Sequence, residues 1–145
     1  MATGLPAPAA DALVRDWDSL DPWDDAREFL AALGARQIGV VTNCSESLGR
    51  RAAARLGVRF DVIVTSERAG YYKPHARPYR LALEELGLAA GQVLFVCGSG
   101  YDLFGTGAVG LDTLWHNRAG LVRPQGAPAP LAERATLREL LPFVT

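Results

Sequence analysis

Of the fifteen basic residues in the chain, fourteen are arginine and one, Lys73, is lysine. An ammonium is a compact charge on a flexible stem, whereas a guanidinium is a planar fork, so the single lysine marks a position that arginine cannot fill. Two polar runs also follow apolar ones: Thr42-Asn43-Cys44 after Val40-Val41, and Cys97-Gly98-Ser99-Gly100-Tyr101-Asp102 after Leu94-Phe95-Val96. Hydroxyl and amide groups beside free backbone N–H groups suit the oxygens of a carboxylate or phosphate. Each candidate also has a plainer reading. Thr42 and Asn43 can belong to the cap of a helix starting near Ser45, Lys73 can be a surface lysine before a proline turn, and Asp102 can cap the helix that follows it. The two cysteines, Cys44 and Cys97, lie in unrelated settings, which predicts reduced thiols rather than a disulfide framework or metal knuckle. With no histidine pairing visible, Cys97 is not read as a nucleophile.

The elements that would position these groups follow from periodicity. Asp21 is expected as an N-cap with Pro22 in the first turn, and Ala26, Phe29, Leu30 and Leu33 then form one buried face ending at Gly34. Residues 37–41 predict a strand buried on both faces. A helix from about Ser45 carries Leu48, Ala52 and Leu56 and stops at Gly57; residues 60–64 are the next strand. Residues 65–74 read as loop or short helix. Pro78 starts a helix with Tyr79, Ala82, Leu83 and Leu86 inward, so Tyr79 is either a core residue or a site residue. Strands at 92–96 and 111–115 flank a helix at 102–109, and residues 135–141 look helical. Strands alternating with helices at these spacings give a parallel sheet with crossover helices, a three-layer, Rossmann-like α/β fold. Ligands bind at the carboxyl ends of such strands, which selects the three polar places. His116, at the end of the last strand, is read as structural.

With 145 residues, 49% hydrophobic, and a net charge of −1, the chain suits one domain of ~100 to 200 residues. The balanced charge gives no case for nucleic acid or an anionic membrane surface, and no apolar run approaches the ~18 to 20 residues of a bilayer-spanning helix. The first ten residues, rich in Ala, Pro and Gly, read as a loose tail without a signal-peptide pattern, and a cytoplasmic protein is expected.

At Val40-Val41-Thr42-Asn43, Gly70-Tyr71-Tyr72-Lys73-Pro74 and Leu94-Phe95-Val96-Cys97-Gly98-Ser99-Gly100-Tyr101-Asp102 the sequence resembles the haloacid dehalogenase (HAD) superfamily of hydrolases, in order and spacing. The likeness runs from about Trp17 to Arg118. It implies a two-step displacement in which an aspartate attacks the substrate and water cleaves the covalent intermediate. It implies Lys73 and Asp102 as catalytic residues, with Thr42, Asn43, Tyr79 and Ser99 holding a small anionic substrate. Phosphatases of the superfamily hold Mg²⁺ with two acids in the last motif, and Gly98 stands where the first is expected. The metal-free 2-haloacid dehalogenase branch instead carries Ser-Ser-Asn-x-x-Asp there and a tyrosine six residues after the lysine. Tyr79 and Asp102 match that pattern; Cys97, Gly98 and Ser99 depart from it. No metal and no cofactor are therefore expected, Mg²⁺ entering only under a phosphatase alternative.

The superfamily's first motif is an apolar strand ending in Asp-x-Asp or Asp-x-Tyr before Gly-Thr, and nothing ahead of Thr42 supplies it. Asp16-Trp17-Asp18-Ser19-Leu20 imitates only the spacing. The resemblance places that strand between the one ending at Val41 and the one ending at Val96. The expectation is thus a core at residues 21–145, lacking its first central strand and most of the cap, preceded by a tail and cap remnant at 1–20. A fragment, a wrongly called start, one half of a complemented fold and a non-catalytic binding module all stay open, as does a homo-oligomer.

Overall fold

Each of the four apolar runs becomes a parallel strand in the computed structural model, which describes residues 7–145. The strands are β1 (Gly39–Thr42), β2 (Val62–Thr65), β3 (Leu94–Cys97) and β4 (Asp112–His116), followed by a fifth, β5 (Ala132–Arg134). Seven helices accompany them among the described residues: α1 (Ala7–Arg15), α2 (Ala26–Ala32), α3 (Glu46–Ala54), α4 (Ser66–Ala69), α5 (Ala76–Leu86), α6 (Asp102–Val109) and α7 (Leu141–Val144). Alternation along β3 and β4 sorts their side chains to two faces. Leu94, Val96 and Leu114 join Phe29 of α2 and Leu140 on one face, whereas Cys97 and Trp115 pack with Leu103 of α6 on the other. Helices on both faces of parallel strands are the expected three-layer arrangement.

The strands form two sheets rather than one. β1 pairs with β2 from Gly39 opposite Val62 to Thr42 opposite Thr65; β3 pairs with β4 from Leu94 opposite Asp112 to Cys97 opposite Trp115, and β4 pairs with β5. β1 and β3 are not hydrogen-bonded to each other. A cleft of about 810 Å³ lies between them, lined by Val40 and Val41 on one side and Leu94 to Cys97 on the other. The expected gap between Val41 and Val96 is there.

Several boundaries differ from the sequence reading. The strands begin about two residues late because strand limits follow available pairing, whereas the apolar run includes the lead-in; Ile38 instead meets Asp61 through its N–H and C=O. The first core helix starts at Ala26, not after Asp21, because the carboxylate of Asp21 is drawn to Arg55. α5 starts two residues before Pro78, its cap being His75, whose Nδ1 accepts the Arg77 N–H; Pro78 sits in the first turn, where a missing N–H costs nothing. Residues 135–141 hold only a 3₁₀ turn, Arg138–Leu140, leading into α7, since Asp25 binds the N–H groups of Leu137 and Arg138 and fixes that segment locally. Of the expected tail, residues 1–6 lie outside the described part; Ala7–Arg15 is helical, and the Trp17 indole N–H donates to the Leu48 carbonyl.

Candidate active site

The loop after α4, the N-terminal end of α5 and the turn after β3 converge at the carboxyl end of the sheets. Gly70, at φ +74°, ends α4 in the left-handed conformation and turns the chain toward Lys73. The Lys73 ammonium donates to Asp102 Oδ2 at 3.1 Å, and the Tyr79 hydroxyl donates to Asp102 Oδ1 at 2.5 Å. Asp102 is 4% exposed and Tyr79 fully buried, whereas the Lys73 side chain keeps 19% of its surface open. The Phe95 ring closes the cluster below, edge-on to Tyr79 at 5.4 Å and 5.9 Å from the ammonium. A carboxylate and an ammonium are thus held in place at low exposure, with the cation reaching toward the opening.

Burial pushes the Tyr79 phenol far above its ordinary value, and the hydrogen bond to the Asp102 carboxylate pushes it further, so Tyr79 stays a donor throughout the working range. Cys97 is pushed up to about 12 by burial first and the Asp102 charge second. It remains a thiol and fills a small core position.

Asn43 reaches the cluster from β1 by another route. Its Oδ1 accepts the Lys73 N–H at 2.7 Å and its Nδ2 donates to the Lys73 carbonyl at 3.1 Å, so the amide spends both ends on the backbone that carries the lysine. The Thr42 hydroxyl donates to Cys44 Sγ at 3.3 Å, while Ser99 Oγ accepts the Tyr101 N–H at 3.3 Å. Lys73, Asp102 and Tyr79 therefore meet directly, Asn43 joins through the Lys73 backbone, and Thr42 and Ser99 engage their own loops. The plainer cap readings do not describe these residues: α3 is capped by Ser45 rather than by Thr42 or Asn43, and Asp102 is the first residue of α6 behind Tyr101, with both its oxygens turned to Lys73 and Tyr79 instead of the helix N–H groups. His116, at the end of β4, is 6% exposed.

Gly105 was not visible as a site residue. A Cβ there would stand 2.2 Å from Tyr79 Cε2 and 2.5 Å from the Pro74 carbonyl oxygen, so α6 approaches Tyr79 only because position 105 lacks a side chain. A glycine inside an otherwise apolar helix was the available signal.

The donor set does not suit Mg²⁺, which favours an octahedral shell that includes one or two carboxylates. Both Asp102 oxygens already accept hydrogen bonds, one of them from a cation, and Gly98 brings no side-chain oxygen.

A parallel α/β body with the Lys73–Asp102–Tyr79 cluster at its strand ends is a Rossmann-like core. The chain belongs to the haloacid dehalogenase-like hydrolase family, whose model matches residues 4–99. It is 30% identical over 139 residues to (S)-2-haloacid dehalogenase 4A of Burkholderia cepacia, covering 92% of this chain and 60% of that protein. Pyrimidine 5'-nucleotidase YjjG of Escherichia coli strain K12 is 32% identical over 124 residues, covering 82% of this chain and 55% of that protein. The fold matches L-2-haloacid dehalogenase from Xanthobacter autotrophicus with a TM-score of 0.84 at 22% identity, over 97% of this chain and 67% of that one. The chain spans a little over half the length of the two curated relatives. No helix among the described residues is long and apolar enough to cross a membrane.

Proposed function

We propose that the chain forms the core of a cytoplasmic hydrolase of the 2-haloacid dehalogenase kind, acting on small 2-haloacids, with residues 21–145 as the catalytic body and 1–20 as its lead-in. The observation that carries this reading is the Lys73–Asp102–Tyr79 cluster: the chain's one lysine is paired with a buried carboxylate that a buried phenol also holds, and the set does not suit Mg²⁺.

In the proposed reaction an aspartate, presented from the cleft between β1 and β3, attacks the halogen-bearing carbon. A carbon–oxygen bond forms, the carbon–halogen bond breaks, and halide leaves with its electron pair. Lys73 keeps the attacking carboxylate ionised and close to the substrate carboxylate, while Thr42, Asn43 and Ser99 shape the strand-end loops that receive that anion. Water then adds to the ester carbonyl with one proton passing to Asp102, the acyl carbon–oxygen bond breaks, the departing alkoxide takes that proton back and leaves as the 2-hydroxyacid, and the aspartate is restored as its remaining proton is lost to solvent. Tyr79 keeps Asp102 in place.

The test uses the chain extended at its N-terminus by an apolar strand ending in aspartate. Chloride release from 2-chloropropionate without added Mg²⁺, abolished by Lys73→Ala, is expected. Mg²⁺-dependent phosphate release from p-nitrophenyl phosphate in its place would give the phosphatase reading, and neither activity would make the chain a binding module.

A further inference from the structure

Residues 117–131 join β4 to β5 without a helix or a strand. Ordering a connection of that length costs conformational entropy, and long loops that stay ordered usually serve a site. One buried side chain holds its start. Asn117 Nδ2 donates to the Leu121 carbonyl at 2.8 Å and to Glu133 Oε1 at 2.5 Å, and Asn117 Oδ1 accepts the Leu121 N–H at 2.8 Å. Further on, Arg123 Nη1 donates to the Ala127 carbonyl and the Ala127 N–H to the Pro124 carbonyl, which closes residues 123–127 on themselves.

The loop so fixed lies against α6. A Cβ at Gly100 would stand 2.9 Å from Pro124 Cδ and 3.0 Å from Trp115 Cζ2, and one at Gly107 would stand 2.8 Å from Pro128 Cγ. Ala127, between the two prolines, packs with Cys97, Leu103 and Trp115. Two rings without rotamer freedom therefore rest on two glycines, one just before α6 and one in its last turn. On another side the helix meets Tyr79 at Gly105. Asp102, whose oxygens take the Lys73 and Tyr79 bonds, is the first residue of the helix held in this way.

We infer that residues 117–128 clamp α6 so that Asp102 meets Lys73, and that Asn117 is a positioning residue for Asp102, acting through Pro124 on Gly100. None of the Asn117 side-chain bonds goes to Lys73, Tyr79 or Asp102, so its influence runs along the loop to Pro124 and across that contact into the turn before α6. The clamp stands on packing. Its effect on a rate rests on the proposed reaction, in which Asp102 takes a proton from water, and the two fail separately.

The experiment compares the chain with Asn117→Ala, Pro124→Ala and the double variant by hydrogen exchange. The amides of Asp102, Leu103 and Phe104, which donate to the Ser99, Gly100 and Tyr101 carbonyls, report the turn, and those of β2 report global stability. Each single variant should speed the turn amides about tenfold and leave β2 unchanged. Since the two residues act in series, the double variant should be no faster than Asn117→Ala, and the Leu121 amide should stay slow in Pro124→Ala, where its bond to Asn117 is kept. Turn amides that do not change, turn and β2 amides that speed up together, or additive effects in the double variant would overturn the clamp. In the N-terminally extended chain, Asn117→Ala should lower kcat for chloride release from 2-chloropropionate about tenfold while kcat/KM, which reports only the steps through halide release, keeps its value. The ester should then accumulate as added mass on the chain, whereas a fall in kcat/KM without that mass would make Asn117 structural only. If the extended parent releases no chloride, the dehalogenase reading falls and the exchange result still decides the clamp.

Discussion

Asn43 holds Lys73 by its backbone, accepting the N–H at 2.7 Å and donating to the carbonyl at 3.1 Å across thirty positions of sequence. The amide thereby copies the pairing a neighbouring strand would offer and ties β1 to the loop that carries the ammonium. Asn43→Ala removes both bonds, each worth ~0.5 to 1.5 kcal/mol net. The Lys73 amide should then exchange about tenfold faster while the amides of β2 keep their rates, read by hydrogen exchange. An unchanged Lys73 amide would show that the loop holds itself.

Tyr79→Phe leaves the ring and removes the hydroxyl that donates to Asp102 Oδ1. A buried carboxylate oxygen without its donor costs ~1 to 3 kcal/mol, which urea denaturation measures. The same change made in an Asp102→Ala background should cost much less, because neighbours that share a bond are not additive. Equal costs in the two backgrounds would mean that the hydroxyl contributes nothing through Asp102.

Gly105→Ala tests the close approach of α6. The added methyl would stand 2.2 Å from Tyr79 Cε2 and 2.5 Å from backbone oxygen at Pro74, and only the ring can give way. Helix propensity favours alanine by ~1 kcal/mol, so a net loss of ~1 to 3 kcal/mol in urea denaturation would show overpacking to be dominant. A gain would show that Tyr79 has room.

What was legible in the sequence and what was not divides along physical lines. Residues 37–41 and 92–96 announced strands by their continuous apolar runs, although β1 and β3 border the cleft and are half-open rather than buried on both faces, and Gly87 announced the end of α5 because only glycine takes the left-handed cap at φ +68° easily. Lys73, Asp102 and Tyr79 were legible through their place in an ordered set of motifs. The task of Asn43 was not, since an amide that binds substrate and one that binds backbone are the same residue in sequence. β5 was missed for a related reason: Ala132-Glu133-Arg134 has almost no apolar pattern, and it is a strand only because β4 offers an edge.

His116 gives the fold a pH dependence. Burial lowers the affinity of its imidazole for protons and Arg118 acts in the same direction, while the Asp25 carboxylate and a hydrogen bond to the Ala135 backbone oppose them. The unfolded chain, with histidine near ~6.5, then binds more protons than the folded one in the interval below that value, so stability rises with pH there. The contribution is complete above the unfolded value and is lost as pH falls through the folded one. Thermal midpoints taken from about pH 7.5 to about pH 5.5 should fall for the wild type and fall less for His116→Gln. Parallel slopes would place the titration elsewhere.

Lys73→Arg separates charge from shape. Arginine would keep the positive charge, so an electrostatic role alone predicts little change in a strand-completed chain. The ammonium, however, donates to Asp102 Oδ2 from a side chain only 19% exposed, 5.9 Å from the Phe95 ring, with Tyr79 filling the other side of Asp102. A planar fork is wider than this space and would engage Asp102 with two donors, competing with the Tyr79 hydroxyl for Oδ1 and drawing the cation back from the cleft. A misplaced charge loses most of its catalytic value, because stabilisation depends on donors fixed within hydrogen-bond distance of the developing charge, and removing one such donor costs ~100- to 1000-fold in kcat. Chloride release by the completed Lys73→Arg chain should therefore fall by about that factor, with the melting temperature changed far less than the rate. Full activity in this variant would reduce Lys73 to a surface cation and take away the reason for reading the chain's one lysine as catalytic.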